Sequence, residues 1–203
     1  MRRNSNGLSF RKSRNRITGG HITELFRTMF GIIAAIALAL FVVYNWGMKT
    51  SVIGPSMEPF LYNGQTIIIS KLSYLIGKPR RGDIIVFLPN GNKNTHYYVK
   101  RVVGIPGDVI EFKKGILYIN DEPENEDYDR VEDPGIAGNP ITLGLDEYFV
   151  LGDNRNSGED SRSGNIGPVN ISLIEGRAWF KFTEGDSIMG FIKRGSRDYF
   201  KDE

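Results

Sequence analysis

Apolar and polar positions along this chain follow two different patterns. From Met29 to Tyr44 the segment MFGIIAAIALALFVVY is apolar throughout, and no charged residue stands between Thr28 and Met48. A helix over that stretch is about 31 Å long, enough to cross a hydrocarbon core of ~30 Å. Tyr44 and Trp46 stand where an interfacial aromatic belt falls. A cleaved signal peptide fits less well, because the basic region before the run is long and the YNWGMK ending offers no small-residue cleavage site. Beyond it the pattern turns to alternation. QTIIIS, DIIVFL, YYVKRVVGI, DVIEF, GILYIN, EYFVLG and RAWFKF are short, rich in β-branched and aromatic residues, and bounded by Gly, Pro, Asn or Asp. Such segments predict strands, and with no convincing amphipathic helix between them they predict an antiparallel, mainly β domain.

The pattern gives three regions: an arm over 1–28, a membrane-spanning helix over 29–47 and a β domain over 48–203. Between residues 121 and 140, DEPENEDYDRVEDPGIAGNP is acidic, rich in Pro and Gly and nearly aperiodic, which predicts a surface excursion. The C-terminal SIMGFIKR reads as a final core strand, with contact to the bilayer surface as the alternative.

Charge adds an orientation. The chain carries 26 basic and 24 acidic residues. Seven of the basic residues, with Glu24 as the sole acid, lie in residues 1–28, so the part from Met48 onward is net negative. A basic arm ahead of an apolar span places the N-terminus in the cytoplasm and the β domain outside. The acidic body does not suit nucleic acid, whose phosphates require clustered Lys and Arg. Cysteine is absent. That excludes thiol catalysis, Cys-based zinc sites and disulfides, and leaves His21 and His96 as the imidazoles.

Candidate chemistry is sparse. His21 precedes the span, so His96 in NKNTHYYVK is the one histidine available for a Ser–His pair outside, and it reads better as a surface residue. GDNRNSGEDSR looks like a calcium loop, but its spacing fails the EF-hand pattern. What remains is serine with lysine, a known variant of the serine–base arrangement. In YVKRVVG, alternation puts Tyr98, Lys100 and Val102 on one face and Val99, Arg101 and Val103 on the other. By spacing alone, Lys100 reads as a lysine snorkelling out of a half-buried strand.

Four motifs change that reading. GPSMEPFL, RGDIIVF, YVKRVVGIPGD and YFVLGDNRNSGEDSR occur in this order behind the apolar run. Together they resemble the four boxes of bacterial type I signal peptidases, in the single-pass, Gram-positive-like form. The resemblance implies a membrane-bound serine endopeptidase that removes signal peptides from exported preproteins through a Ser–Lys dyad and an acyl-enzyme. It implies Ser56 as nucleophile, Lys100 as general base and a structural second box at Gly82 and Asp83. In the last box, Gly152, Asp153, Asn154, Asp160, Ser161 and Arg162 match residues that support the site and the lysine. Lysine at position 100, where the endoplasmic-reticulum branch has histidine, marks the bacterial type. Neither metal nor other cofactor is implied. The implied partners are signal peptides with small residues at −1 and −3 and membrane lipid. A self-cleaving Ser–Lys repressor-type peptidase and an inactive membrane-anchored binding module are the alternatives.

The chemistry is coherent. A lysine with the ordinary side-chain pKa of ~10.4 is almost wholly protonated at neutral pH, and burial lowers that value. The Ser56 backbone N–H is the first candidate donor to an oxyanion. Three positions depart from the family pattern. Gly54 stands where some members carry a serine that donates to the oxyanion. Phe60 replaces a threonine, suggesting an extra apolar contact with substrate or lipid. Gly158 replaces a serine that holds the lysine, leaving Ser157, Ser161, a backbone carbonyl or water as stand-ins.

Overall fold

A computed structural model describes residues 19–92, 95–124, 128–157, 159–182 and 190–193, with side chains omitted at 19–22 and 42–46. The expectations for His21, Tyr44 and Trp46 therefore fall outside the described side chains, and those for residues 1–18 and Gly158 outside the described residues. The chain divides into two units, residues 1–45 and 46–203.

The first unit is helix α1, Gly19–Trp46. Its segment Thr23–Phe41 has a mean hydropathy of 1.8 and no buried residue, and is long and apolar enough to cross a membrane. The helix starts ten residues ahead of the apolar stretch placed at 29–47. Hydropathy marks where charge stops, whereas a helix continues through Glu24 and Arg27, both good helix formers.

In the second unit every one of the seven alternating segments is a strand. β1 (Gly47–Ser51) pairs with β2 (Thr66–Ser70), followed by the short helix α2 (Ser73–Ile76) and β3 (Ile84–Phe87). Next come β4 (Tyr98–Gly104), β5 (Val109–Lys113), β6 (Ile116–Ile119), β7 (Glu122–Pro123) and β8 (Ile141–Thr142). β9 (Glu147–Leu151), β10 (Val169–Asn170), β11 (Ile174–Phe182) and β12 (Gly190–Phe191) complete the set. The larger sheet runs β1-β2-β11-β3-β4-β9-β10, with β12 also on β11; the smaller runs β7-β6-β5-β8. All pairings are antiparallel.

Two features were not legible in the hydropathy. GMKTS forms β1 although it carries one large apolar side chain, because an edge strand is held by its backbone ladder to TIIIS rather than by burial. In the acidic 121–140 stretch, Val131 and Ala137 are buried within the core cluster built on Ile110, Phe112 and Phe149. The stretch is thus anchored at two points, and single buried residues leave no periodic trace. At the C-terminal end β12 pairs with β11, with Ile192 buried and Phe191 exposed.

A candidate serine–lysine site

Ser56 sits in the turn that joins β1 to β2. Met57 and Leu61 are buried in the core cluster of Val52, Ile67 and Ile84. The backbone closes the turn over them, Leu61 N donating to Met57 O at 2.8 Å and Glu58 N to Pro55 O at 3.1 Å. Gly54 has φ +83°, a conformation an L side chain adopts only with strain, and its N–H donates to Asn63 Oδ1 at 2.9 Å. A serine side chain at position 54 would have room but the wrong backbone.

Lys100 lies in the middle of β4, opposite Ile85 of β3. Tyr98 and Val102, on its face, pack in the cluster of Ile85, Phe87, Tyr148 and Val150. Lys100 is itself 4% exposed. Its Nζ is 2.6 Å from Ser56 Oγ. Burial pushes the Lys100 pKa down to about 8; Asp160 pulls the other way, as do Asp153 and Glu159 more weakly, while Arg162 adds to the lowering. With a pKa of 8, roughly a tenth of the amine is neutral at pH 7, a few hundred times more than at the unperturbed value. The pair opens on a cleft of about 240 Å³ whose walls include Ile53, His96, Tyr98 and Glu159.

The last box fixes the turn from the other side. β9 ends at Leu151, opposite Arg101, and the chain then turns past Ser56. Asn154 N donates to Ser56 O at 3.1 Å, and Gly152 lies so near this oxygen that a Cβ there would overlap it. Asp153 accepts from Nε and Nη2 of Arg101, both at 2.7 Å, and from the Tyr128 hydroxyl at 3.0 Å. Burial opposes the Arg101 charge, but the hydrogen bonds and charge of Asp153 outweigh it and raise its pKa. Asp160 accepts from N, Nε and Nη2 of Arg162 at 3.0, 2.9 and 2.8 Å. The Ser161 hydroxyl accepts from Val150 N at 2.9 Å, inside the fold. These groups act on Lys100 as nearby charges and as walls.

The second box braces β4. Gly82 and Asp83 exchange backbone hydrogen bonds with Val102, at 2.8 and 2.9 Å. Asp83 Oδ2 accepts from Arg80 N at 3.0 Å and Tyr74 Oη at 3.2 Å. His96 stacks on Tyr98, ring centroids 5.2 Å apart, while the 2.6 Å contact with Ser56 belongs to Lys100.

Phe60 corrects an expectation. Its ring is buried, with Arg101 Cζ 5.0 Å and Lys181 Nζ 4.5 Å from its centroid, and its carbonyl accepts from Lys181 Nζ at 2.9 Å. It packs inward against two cations rather than outward toward substrate or lipid. Sequence reading also missed Tyr128, whose aperiodic acidic surroundings give no sign that its hydroxyl reaches Asp153. Glu159 and Tyr98, joined at 3.3 Å, lay within the recognised motifs without an assigned role.

Comparison with known proteins gives the family. A family described as signal peptidase, peptidase S26, matches residues 23–183. The chain is 34% identical over 168 residues to a signal peptidase I of Bacillus licheniformis, covering 78% of this chain and 89% of that one. It is 40% identical over 158 residues to a signal peptidase I of Bacillus caldolyticus, covering 71% and 82%. A crystal structure of a signal peptidase I from Enterococcus faecalis aligns with a TM-score of 0.39 at 32% identity, over 50% of this chain and 97% of that one.

Proposed function

From the premise that this chain belongs to the signal peptidase family, peptidase S26, and is a hydrolase that removes signal peptides, we propose that it works through Ser56 and Lys100. The observation that carries this reading is the 2.6 Å contact between Ser56 Oγ and a buried Lys100 Nζ. Neutral Lys100 takes the proton of the Ser56 hydroxyl as Oγ attacks the carbonyl carbon of the last signal-peptide residue. The oxyanion that forms accepts from the Ser56 backbone N–H. Its collapse breaks the C–N bond, and the Lys100 ammonium gives its proton to the leaving amine of the mature chain. The ester left on Ser56 is then attacked by water, deprotonated by the same lysine, which returns a proton to Oγ.

The substrate preference in this reading is for small residues at −1 and −3. Residues 1–28 form the cytoplasmic arm, 29–47 the span and 48–203 the extracytoplasmic body, a reading supported by the apolar helix and by basic residues ahead of it.

Cleavage of a preprotein by the full chain in lipid tests the dyad. Ser56→Ala and Lys100→Met should each remove nearly all activity, and the double variant should be no worse than either, because groups acting as a unit are lost together. His96→Ala should stay within a few-fold of wild type. Substantial turnover by Lys100→Met would overturn the proposal.

A further inference from the structure

A second hollow, of about 530 Å³, lies between residues 132–136 of the acidic stretch and residues 155–164 of the last box. Glu159 belongs to its wall and to that of the 240 Å³ cleft that holds Ser56 and Lys100, so the two adjoin at this side chain. The Glu159 carboxylate accepts from the Tyr98 hydroxyl at 3.3 Å, and Tyr98 stands on the Lys100 face of β4.

Charge in this groove has one sign where solvent reaches it. Arg155, Asp160 and Arg162 are buried and engaged. Asp160 holds the Arg162 guanidinium at 2.9 and 2.8 Å, while Arg155 lies 3.9 Å over the Tyr128 ring and donates from Nε to Gly152 O at 3.1 Å. Glu132, Asp133 and Glu159 are exposed. Ile136, 39% exposed, adds an apolar wall. Such a lining suits Lys or Arg, whose apolar stem rests on hydrocarbon while its charged head meets a carboxylate.

The molecule that brings such a side chain here is the substrate. A carbonyl carbon within reach of Ser56 Oγ puts a polypeptide in the smaller cleft, and that polypeptide continues on both sides of the bond to be cut. Side chains of an extended chain alternate, so those at −1 and −3 share one face. In the proposed preference both are small, and neither carries a charge for Glu159 to meet. Residues after the bond have no such restriction. We infer that Glu159 is a specificity-determining residue that selects a basic side chain within the first residues of the mature chain, which enter the groove beside it. This rests on the Ser56–Lys100 reading of the cleft. The carboxylate favours Lys or Arg there and repels Asp or Glu.

Peptides that share one signal half and carry Ala, Lys or Glu at −2, +1, +2 or +3 test this with the full chain in detergent. The kcat/KM of the Lys peptide should exceed that of the Glu peptide by ~5-fold at one or more positions after the bond. The ratio should shrink toward one near about 1 M salt, where charges are screened beyond about 3 Å. Glu159→Gln should bring it near one, and Glu159→Lys should invert it. Each ratio is taken within one variant, so changes in folded fraction, or in the Lys100 pKa that Glu159 helps to raise, cancel. A merely structural Glu159 would slow all the peptides alike. A wild-type ratio near one, or a ratio that survives Glu159→Lys, overturns the inference. A preference for Lys at −2 alone overturns the assignment to the mature chain. Cleavage of the Ala peptide by Ser56→Ala instead overturns the dyad on which the inference rests.

Discussion

Gly152 presses its backbone against the carbonyl oxygen of Ser56, leaving no space for a Cβ between them. Residues nearly a hundred positions apart thereby set one distance, that from Ser56 Oγ to Lys100 Nζ. Gly152→Ala should push the Ser56 turn away from β4 and lower kcat by ~10²-fold, the cost of a displacement of about 1 Å. Turnover measured beside a far-UV spectrum checks this. Wild-type turnover in a folded Gly152→Ala protein would show that the turn yields freely.

In the proposed dyad the lysine must be neutral to accept the serine proton, so kcat/KM should rise with pH along an apparent pKa near 8. Asp160 is the charge that most favours the ammonium. Asp160→Asn removes it and leaves the opposing Arg162 charge in place, so the neutral amine is favoured. The profile should move to lower pH. A midpoint that stays put or moves up would mean that another group is titrating.

Asp153 holds the buried Arg101 guanidinium through two hydrogen bonds of 2.7 Å. Asp153→Ala should cost ~3–5 kcal/mol of stability, since it strands a buried charge. Tyr128→Phe removes one hydrogen bond to the same carboxylate and should cost about 1 kcal/mol. Denaturant midpoints of the full chain in detergent would rank them. Equal effects would refute the network.

Phe60 stands between two cations in the interior, so its replacement should alter stability rather than substrate binding. Phe60→Leu should lose roughly 1–3 kcal/mol through lost cation–π contact and packing. KM should remain within about two-fold, since a loss of uniform binding would raise it. A raised KM with unchanged stability would restore the reading of Phe60 as a substrate contact.

Local chemistry made several parts of this protein readable without coordinates. Alternation at period two reports a strand half-buried on a pleat, and each of the seven segments that showed it is a strand. The apolar run needs nothing beyond its own residues to declare a helix able to cross a bilayer. The four motifs brought Ser56 and Lys100 to notice, although spacing alone made Lys100 an ordinary strand lysine. β1 escaped because its pairing is a property of backbone and neighbour. The inward turn of Phe60 escaped because a buried aromatic and a substrate-facing one look alike in a sequence.

Which backbone each segment adopts, and which side chains are available for chemistry, follow from the spacing of a few neighbouring residues. Tertiary structure alone decided what those side chains meet. Lys100 gains a neutral fraction at ordinary pH because β3, β9 and the Ser56 turn bury it, and burial disfavours its charge. Ser56 is within its reach because Gly152 and Asn154 hold the turn in place. Tyr128 finds Asp153 because a segment with no period of its own is pinned by Val131 and Ala137. Desolvation and distance are sums over groups far apart in the chain, and no local pattern encodes them.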